Sequence, residues 1–184
     1  MIIKKYFWAL RMALYSLFYK NIKMPGYLGK PILMVGVGNI KLGKRVRIFP
    51  NSRFEIHKDG QIDIQDNVSI GQGLHITSQG SLTICSGTVI SGNVVLTNID
   101  HDYQDITMPV LEQPHIVRDT FVGENCFIGF GAVIQAGTIL GRHCIVGANS
   151  VVRGTFPDGC VIAGVPAKIV KQYDHSIGQW VRSS

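Results

Sequence analysis

The chain has few charged residues and few cysteines, and both shortages narrow what it can do. Only 16% of its 184 residues are charged, while 46% are hydrophobic and 21 are glycine. This composition suits a fold whose inward positions are all apolar. The four cysteines, at positions 85, 126, 144 and 160, include no Cys-x-x-Cys pair of the kind that binds zinc. We therefore expect reduced thiols that behave as small hydrophobic side chains.

The first 30 residues contain no acidic side chain. They hold six of the 18 lysines and arginines and none of the 12 acidic residues, so the rest of the chain is neutral and the net charge of +6 belongs to this segment. A nucleic-acid interface needs basic residues along a binding face. The charge distribution therefore argues against nucleic acid as a partner.

The N-terminal segment also lacks a transmembrane span and a signal-peptide cleavage site. Its apolar run, 6–19, is too short to cross a bilayer and carries Arg11 near its centre. At 3.6 residues per turn, Lys4, Arg11 and Tyr15 share a narrow polar face, and the remaining circumference is apolar. We predict an amphipathic helix that meets a membrane interface through residues 1–23, with packing against an oligomer as the alternative.

The strongest pattern in the chain is a six-residue period. Seven consecutive hexapeptides open on an aliphatic residue, and the first six carry a small residue four positions later. The aliphatic positions are Ile116, Val122, Ile128, Ile134, Leu140, Val146 and Val152, and the small ones are Thr120, Cys126, Ala132, Thr138, Cys144 and Ser150. Neither an α-helix nor a strand pair repeats every six residues. The period is typical of a triangular parallel β-coil, in which three hexapeptides form one turn.

The coil geometry makes two further predictions. Cys126 and Cys144 lie 18 residues apart, so they should stack on successive turns. Asn125 and Asn149 fall at corners, where Gly or Asn supplies the unusual backbone angles. The period continues towards the N-terminus less cleanly, with enlarged turns at 54–62 and 76–82.

A larger break in the period spans 96–116. The excursion Thr97–His115 is polar, contains two prolines and begins close to His101. A long loop that leaves a regular coil usually has a function.

These features resemble the hexapeptide-repeat acyltransferases, of the sugar and polysaccharide O-acetyltransferase type, over roughly residues 40–170. The resemblance implies an all-β fold: a left-handed parallel β-helix of hexapeptide repeats with a short N-terminal amphipathic helix and an extruded loop. Residues 1–30 would form the basic helix and linker, 31–167 the β-helix with its loop at 97–115, and 168–184 a C-terminal tail. The family forms homotrimers with active sites between subunits.

The resemblance assigns the role of general base to His101, at the start of the extruded loop. Imidazole can take a proton from an attacking hydroxyl and return it to the leaving thiolate near neutral pH. We expect direct transfer of acetyl from acetyl-CoA in a ternary complex, because Cys126 and Cys144 occupy core positions unsuited to a nucleophile. Asp100 and Asp102 flank the base, and the sequence leaves open which of them orients it.

The C-terminal sequence Gly-Val-Pro-Ala-Lys at 164–168 matches a second signature of the family. By that resemblance two lysines contact the CoA phosphates, an arginine adds a third contact, and two residues line the pantetheine channel. The two lysines are Lys168 and Lys171, and the arginine is Arg153. Phe130 and Ala148 are the residues assigned to the pantetheine channel.

The acceptor site departs from the simple-sugar enzymes of the family. Their acceptor-binding Asn would fall at Gly71–Gly73, and their acidic N-terminal residues are missing here. We assign acceptor contacts to Asn98 and His75 and predict a surface-polysaccharide or lipid-linked sugar, with the protein cytoplasmic or peripheral on the inner face of a bacterial cytoplasmic membrane. The alternatives are N-acylation of a nucleotide-linked amino sugar, O-acetylation of a xenobiotic, and a non-catalytic β-helix scaffold.

The remaining histidines do not suggest a metal centre. His57 and His143 fall at turns and are expected to be solvated, while His115 closes the loop and His175 lies in the tail. A related zinc enzyme, the γ-class carbonic anhydrase, uses one His well before a close pair. No such close pair occurs here, so we expect no metal.

Overall fold

The computed structural model describes residues 2–183, with the side chains of residues 4–183. Within these residues one α-helix, α1 (Ile2–Phe18), precedes 23 short β-strands, and 3₁₀ turns lie at Val37–Asn39 and Val110–Glu112. Three of the four sheets take one strand from each turn of the chain, so strands that are neighbours in space are one coil apart in sequence. The described chain is therefore a parallel β-helix of about seven turns, as predicted.

The strands divide among the sheets as follows. The first sheet contains β1 (Tyr27–Leu28), β4 (Arg47–Ile48), β7 (Ser69–Ile70), β10 (Val89–Ile90), β15 (Phe127–Ile128), β18 (Ile145–Val146), β21 (Cys160–Gly164), β22 (Ala167–Asp174) and β23 (Gln179–Arg182). The second contains β2 (Leu33–Val35), β5 (Arg53–Ile56), β8 (His75–Ser78), β11 (Val95–Thr97), β16 (Val133–Ile134) and β19 (Val151–Val152). The third contains β3 (Ile40–Leu42), β6 (Gln61–Ile64), β9 (Ser81–Ile84), β14 (Thr120–Val122), β17 (Ile139–Leu140) and β20 (Thr155–Phe156). A separate hairpin pairs β12 (Ile99–His101) with β13 (His115–Val117).

Three corners join the sheets within each turn. The first corner leads from the first sheet to the second, at 49–52, 71–74, 91–94, 129–132 and 147–150. The second corner leads to the third sheet, at 57–60, 79–80, the loop, 135–138 and 153–154. The third corner returns the chain to the first sheet. Asn125 and Asn149 adopt left-handed backbone angles, with φ 55° at both, which confirms their predicted place in corners.

The core consists of the predicted inward columns. Six of the seven aliphatic positions and all six small positions of the repeat are buried. Burying a Val or Ile side chain contributes about 1.5–3 kcal/mol to the stability of the fold. Each coil adds such contributions, which offset the conformational entropy lost when its backbone is ordered. Cys126 and Cys144 are buried on successive turns, and the Sγ atoms of Cys144 and Cys160 lie 3.8 Å apart, so these cysteines are part of the core.

The prediction for Ile116 was wrong. This residue is half-buried on β13, where it pairs with Asp100 in the antiparallel hairpin rather than filling the coil. The return arm of the loop extends to Val117, beyond the predicted boundary at 115. The chain rejoins the coil at Thr120, whose buried hydroxyl donates to the Thr97 carbonyl at 2.8 Å and closes the base of the excursion.

The N-terminal segment forms the predicted helix, but its polar face lies elsewhere than expected. The guanidinium of Arg11 donates to the carbonyl of Leu28 on the terminal strand β1 at 3.1 Å, and Met12 beside it is fully buried. Helix α1 thereby covers the edge strand of the first sheet. Arg11 therefore faces the β-helix and is not free to meet lipid. Within residues 2–183 no helix is long and apolar enough to cross a membrane.

Candidate active site

The loop expected to carry the base projects from the second corner as an ordered hairpin. His101 and His115 are directly opposed across β12 and β13. Gln113, which is nearly buried, closes the loop by donating from Nε2 to the carbonyls of Asp105 and Met108 at 2.8 and 3.2 Å. Ile106 and Leu111 at its far end are 96% and 89% exposed. The hairpin therefore holds His101 in place while presenting an apolar tip outward.

The imidazole of His101 packs against a histidine. Its ring centroid lies 4.8 Å from that of His115, with the ring planes at 86°. Asp102 instead accepts the backbone N–H of Gln104 through Oδ1 at 3.0 Å. The carboxylate of Asp100 contacts two arginines. The two carboxylates expected beside the base are thus both engaged elsewhere.

Asp100 is held by two arginines. Its Oδ1 accepts the backbone N–H of His101 at 3.0 Å, and its Oδ2 lies 3.7 Å from both Arg118 Nη1 and Arg153 Nη2. Arg153, which the sequence assigned to CoA, therefore lies on the second corner, from which the His101 hairpin projects. Arg118 was not anticipated, because its proximity to Asp100 depends on the antiparallel pairing of the hairpin arms.

His115 was expected only to close the loop, yet it is the most constrained imidazole of the site. Its Nδ1 lies 2.6 Å from Oε1 of Gln79, and its ring is 6.1 Å from that of His57. Burial lowers the pKa of His115, and the nearby His101, His57 and Lys58 lower it further. His115 is therefore a neutral ring at pH 7. His57 and Gln79 belong to earlier coils. Their alignment with His115 is hard to recognise in the sequence because the coil that includes the loop is 38 residues long.

Asn98, assigned to the acceptor, is fully buried at the base of the loop. Its Oδ1 accepts the backbone N–H of Gln79 at 2.9 Å, and its Nδ2 donates to Ser78 Oγ at 3.1 Å. No surface of this side chain is open to a ligand in the single chain. His75 is partly exposed on the outer face of the second sheet, with Nε2 3.4 Å from Glu55 Oε1. The hydrogen bond from Arg53 lowers the pKa of Glu55, so this residue is anionic beside His75.

The residues assigned to the pantetheine arm line up on the first corner. Phe130 and Ala148 both follow a first-sheet strand by two residues, and β15 and β18 are in register, so the two residues stack on successive coils. Gly92 lies one coil below Phe130, and Gly164 ends the strand above Ala148. Phe130 is 50% exposed and Ala148 is exposed. These four positions form a column, called here the first-corner column.

The C-terminal lysines lie on one face because of a β-bulge. In the antiparallel pair of β21 and β22, Lys168 opposes Ala163 and Lys171 opposes Val161, with a register shift between them. Residues three apart on a regular strand would point to opposite faces, and the extra residue corrects this. Because Ala163 and Val161 flank the buried Ile162, both lysines share the outer face of the sheet. Both lysines are exposed. Lys168 follows Ala167, the partner of Gly164 at the end of the first-corner column, and Lys171 opposes Val161 three residues earlier on β21.

The assigned residues therefore divide between two corners of the coil. Phe130, Ala148 and the two lysines belong to the first corner, whereas His101, Asp100 and Arg153 belong to the second. A second-sheet strand with its flanking residues separates these corners: Ala148 and Arg153 are five positions apart in the chain, an extended path of ~17 Å. No group of three or more His, Cys, Asp or Glu side chains suited to a metal ion occurs among residues 4–183.

Comparisons with known proteins agree with this architecture. Residues 119–154 match the family model described as bacterial transferase hexapeptide (six repeats). The chain is 33% identical over 174 residues to WbbJ of Escherichia coli K12, a protein named for O-acetyl transfer in lipopolysaccharide biosynthesis, covering 90% of this chain and 87% of that one. It is 31% identical over 170 residues to a 24.8 kDa protein in the cps region of Klebsiella pneumoniae, covering 83% and 75%.

Two solved structures share the fold. The N-acyltransferase AntD of Bacillus cereus, in complex with dTDP and 3-hydroxybutyryl-CoA, aligns with TM-score 0.75 at 18% identity, over 91% of this chain and 90% of that one. A galactoside acetyltransferase in complex with coenzyme A aligns with TM-score 0.62 at 22% identity, over 90% and 71%. By its repeats, its coil and its identity to WbbJ over most of both chains, the chain belongs to the hexapeptide-repeat acyltransferases of the left-handed β-helix fold and is an acetyl-CoA-dependent acyltransferase.

Proposed function

We propose that the protein is an O-acetyltransferase that moves acetyl from acetyl-CoA to a hydroxyl of a surface-polysaccharide or lipid-linked sugar. The observation that carries the proposal is an exposed imidazole, His101, on an ordered hairpin at the second corner. His101 takes the proton of the acceptor hydroxyl as the oxygen attacks the thioester carbonyl. When the C–S bond breaks, the same imidazole returns the proton to the CoA thiolate.

Direct transfer without an acyl-enzyme is the proposed route. The four cysteines are buried. Burial raises the pKa of Cys85 and raises that of Cys160 to about 12. The hydrogen bond between Cys126 and Cys144 raises the pKa of Cys126 and lowers that of Cys144 to about 7. A nucleophilic thiol must be exposed to its substrate as well as have a low pKa, and none of the four, including the fully buried Cys144, is exposed. Hydroxyl and thioester therefore meet in one ternary complex.

Acetyl-CoA is proposed to lie along the first-corner column. Ala148 and Gly164 carry no bulky side chain, and the half-exposed ring of Phe130 lies over Gly92, so the column offers open backbone and an aromatic surface to an extended pantetheine arm. The exposed Lys168 and Lys171 share one face at the end of this column, where two cations would meet the phosphates. Arg153 has Asp100 as its nearest anion, so its proposed contact with CoA requires it to exchange that partner for a phosphate.

The separation of the two corners supports a subunit-interface site in a homotrimer. The second corner, from which the His101 hairpin projects, is ~17 Å from the column on one chain, too far for one thioester to meet both corners. A neighbouring β-helix that presents its first corner to this second corner would bring the two together. The exposed Ile106 and Leu111 at the hairpin tip would pack on that neighbour.

The acceptor can be tested with a panel of hydroxyl and amine compounds. Acetyl-CoA and purified protein would be incubated with polyprenyl-linked saccharides, capsular or lipopolysaccharide fragments, free hexoses, nucleotide-linked amino sugars and chloramphenicol, with CoA release and product mass as readouts. We expect turnover with polymer fragments or lipid-linked saccharides and a product ester that hydroxylamine cleaves. Transfer only to an amino sugar or to chloramphenicol would contradict the proposal, as would binding of CoA without any turnover.

Helix α1 is proposed to bring the enzyme to the cytoplasmic face of the membrane. Opposite the buried Met12, the helix exposes an apolar stripe of Tyr6, Phe7, Leu10, Leu14, Leu17 and Phe18, the last two 78% and 80% exposed. Lys4 is exposed at a border of this stripe, Lys20 is exposed just beyond the end of the helix, and the first 30 residues contain no acid. An apolar stripe bordered by cations suits an interface rich in anionic lipid, where a lipid-linked acceptor would be found.

Replacing Leu10 and Leu14 by Glu is expected to abolish vesicle binding. Each leucine contributes about 1.5–3 kcal/mol when buried, so the double variant should partition at least ~100-fold more weakly into phosphatidylglycerol vesicles in a flotation assay. The matched control replaces Val165 and Ile177, both exposed beyond the last coil, by Glu. Equal flotation of the two variants, or loss of oligomerisation in place of loss of flotation, would refute membrane docking.

A further inference from the structure

A histidine that acts as a base usually has a partner that fixes its ring. In many enzymes the partner is a carboxylate that accepts one ring N–H and supports the imidazolium that forms. Here Asp100 is engaged by Arg118 and Arg153, and Asp102 by the backbone of Gln104. The ring that contacts His101 is His115, at 4.8 Å between centroids.

We propose that His115 is the positioning residue for His101 and that Gln79 fixes the orientation of His115. The inference rests on the proposed role of His101 as base. It assigns the orienting work to a neutral imidazole held by an amide, in place of the flanking carboxylates. His115 touches neither substrate in this scheme and acts through the ring of His101.

The amide of Gln79 selects one tautomer of His115. An amide oxygen only accepts hydrogen bonds, so the 2.6 Å contact from Nδ1 to Oε1 requires the proton on Nδ1. The other ring nitrogen, Nε2, then carries a lone pair. Because its tautomer is fixed and its strand is paired, His115 is a neighbour of His101 whose ring has a defined polarity and orientation.

The position of Gln79 is itself determined by buried groups. Its backbone N–H donates to Oδ1 of the fully buried Asn98, whose Nδ2 donates to Ser78 Oγ. That hydroxyl in turn donates to the carbonyls of Gln61 and Gly80, both at 3.0 Å. A continuous chain of hydrogen bonds therefore runs from the coil through Asn98 and Gln79 to His115. This gives Asn98 a supporting role at the base of the loop.

The charges around His115 keep it neutral while His101 changes its protonation state. His57 and Lys58 approach from the second corner two coils below, and His101 approaches from the hairpin. A second positive ring between these groups is disfavoured, so the pair of rings carries at most one positive charge. When His101 takes the proton of the acceptor hydroxyl, the dipole and π-electrons of the neutral ring stabilise the imidazolium. The proton leaves with the CoA thiol, and His115 exchanges none.

The test uses ¹⁵N-histidine NMR of the full-length protein, with His115→Phe and Gln79→Leu compared with wild type. Phenylalanine keeps a planar ring but no lone pair, and leucine keeps the volume of Gln79 without its amide. We expect wild-type His115 as a single Nδ1–H tautomer. We also expect both variants to change the tautomer ratio and the titration midpoint of His101. His143→Phe, on the exposed third corner, is the matched control and should leave His101 unchanged.

Activity provides an independent readout with any acceptor from the panel. Both variants should lower kcat on the order of 10-fold to 100-fold, as expected for a displaced reacting group, with KM for acetyl-CoA unchanged. An unaltered His101 spectrum in either folded variant would overturn the proposal, as would binding of a stoichiometric zinc ion by the histidines of wild type. Failure of the base assignment is distinguishable, because an active His101→Ala enzyme would refute it whatever the NMR coupling.

Discussion

His101→Ala should bind acetyl-CoA normally and transfer no measurable acetyl. General acid–base catalysis by one positioned group contributes on the order of 10²–10⁴ in rate, and no second group in the described site can replace this imidazole. His115 has a lone pair on Nε2, but its ring is half-buried against His101 and held by Gln79, so in the proposed scheme it does not reach the acceptor hydroxyl. The measurement is CoA release with the best acceptor from the panel, together with the acetyl-CoA dissociation constant from calorimetry.

The fold should tolerate this substitution. His101 is exposed, and the β12–β13 pairing uses backbone atoms that alanine retains. His143→Ala, on an exposed turn of the third corner, is the control and should keep wild-type turnover. If His101→Ala kept near-normal turnover, the base would have to be another group. A parallel loss of acetyl-CoA affinity would instead indicate that the hairpin supports the donor site.

The fold was predictable because the six-residue period records one physical rule. Each inward position has limited room, so aliphatic and small residues recur at fixed places in every hexapeptide. The single failure, Ile116, lies where this rule does not apply. The residue follows the period by sequence, but the antiparallel pairing of the hairpin arms takes it out of the coil.

The candidate site was only partly predictable, because its contacts join residues that are far apart in the sequence. His101 was identifiable as the first histidine of the break in the period. Its neighbours were not: Gln79 reaches His115 across 36 positions, and Arg153 reaches Asp100 across two later coils. Adjacency in sequence favoured Asp100 and Asp102, but the hairpin directs their carboxylates away from the base. The shared face of Lys168 and Lys171 likewise depends on a bulge that no local pattern reveals.

Mixed trimers should recover activity that neither parent variant has. Ala148→Trp would fill the exposed first-corner column and exclude the pantetheine arm, and His101→Ala removes the base from the second corner. If each site combines the second corner of one chain with the first corner of its neighbour, it needs His101 from the first chain and an open column from the second. A site is therefore complete when the chain that supplies the second corner carries Ala148→Trp and the neighbour that supplies the first corner carries His101→Ala. Random assembly in a closed ring meets this condition at about a quarter of the sites.

Two controls separate this result from a site within one chain. Glu124→Trp, an exposed substitution on the third corner, should keep full activity and show that a surface tryptophan is tolerated. Trimers of wild type with a chain carrying both His101→Ala and Ala148→Trp should retain about a quarter of full activity if sites are shared and about a half if they are not. Shared sites are indicated if the first mixture recovers activity and the second keeps a quarter of full activity. A neighbouring chain must then bridge the ~17 Å between the corners. If the first mixture recovers no activity and the second keeps half of full activity, the base and the donor site lie on one chain. The separation of the two corners makes that arrangement less favourable than a shared site.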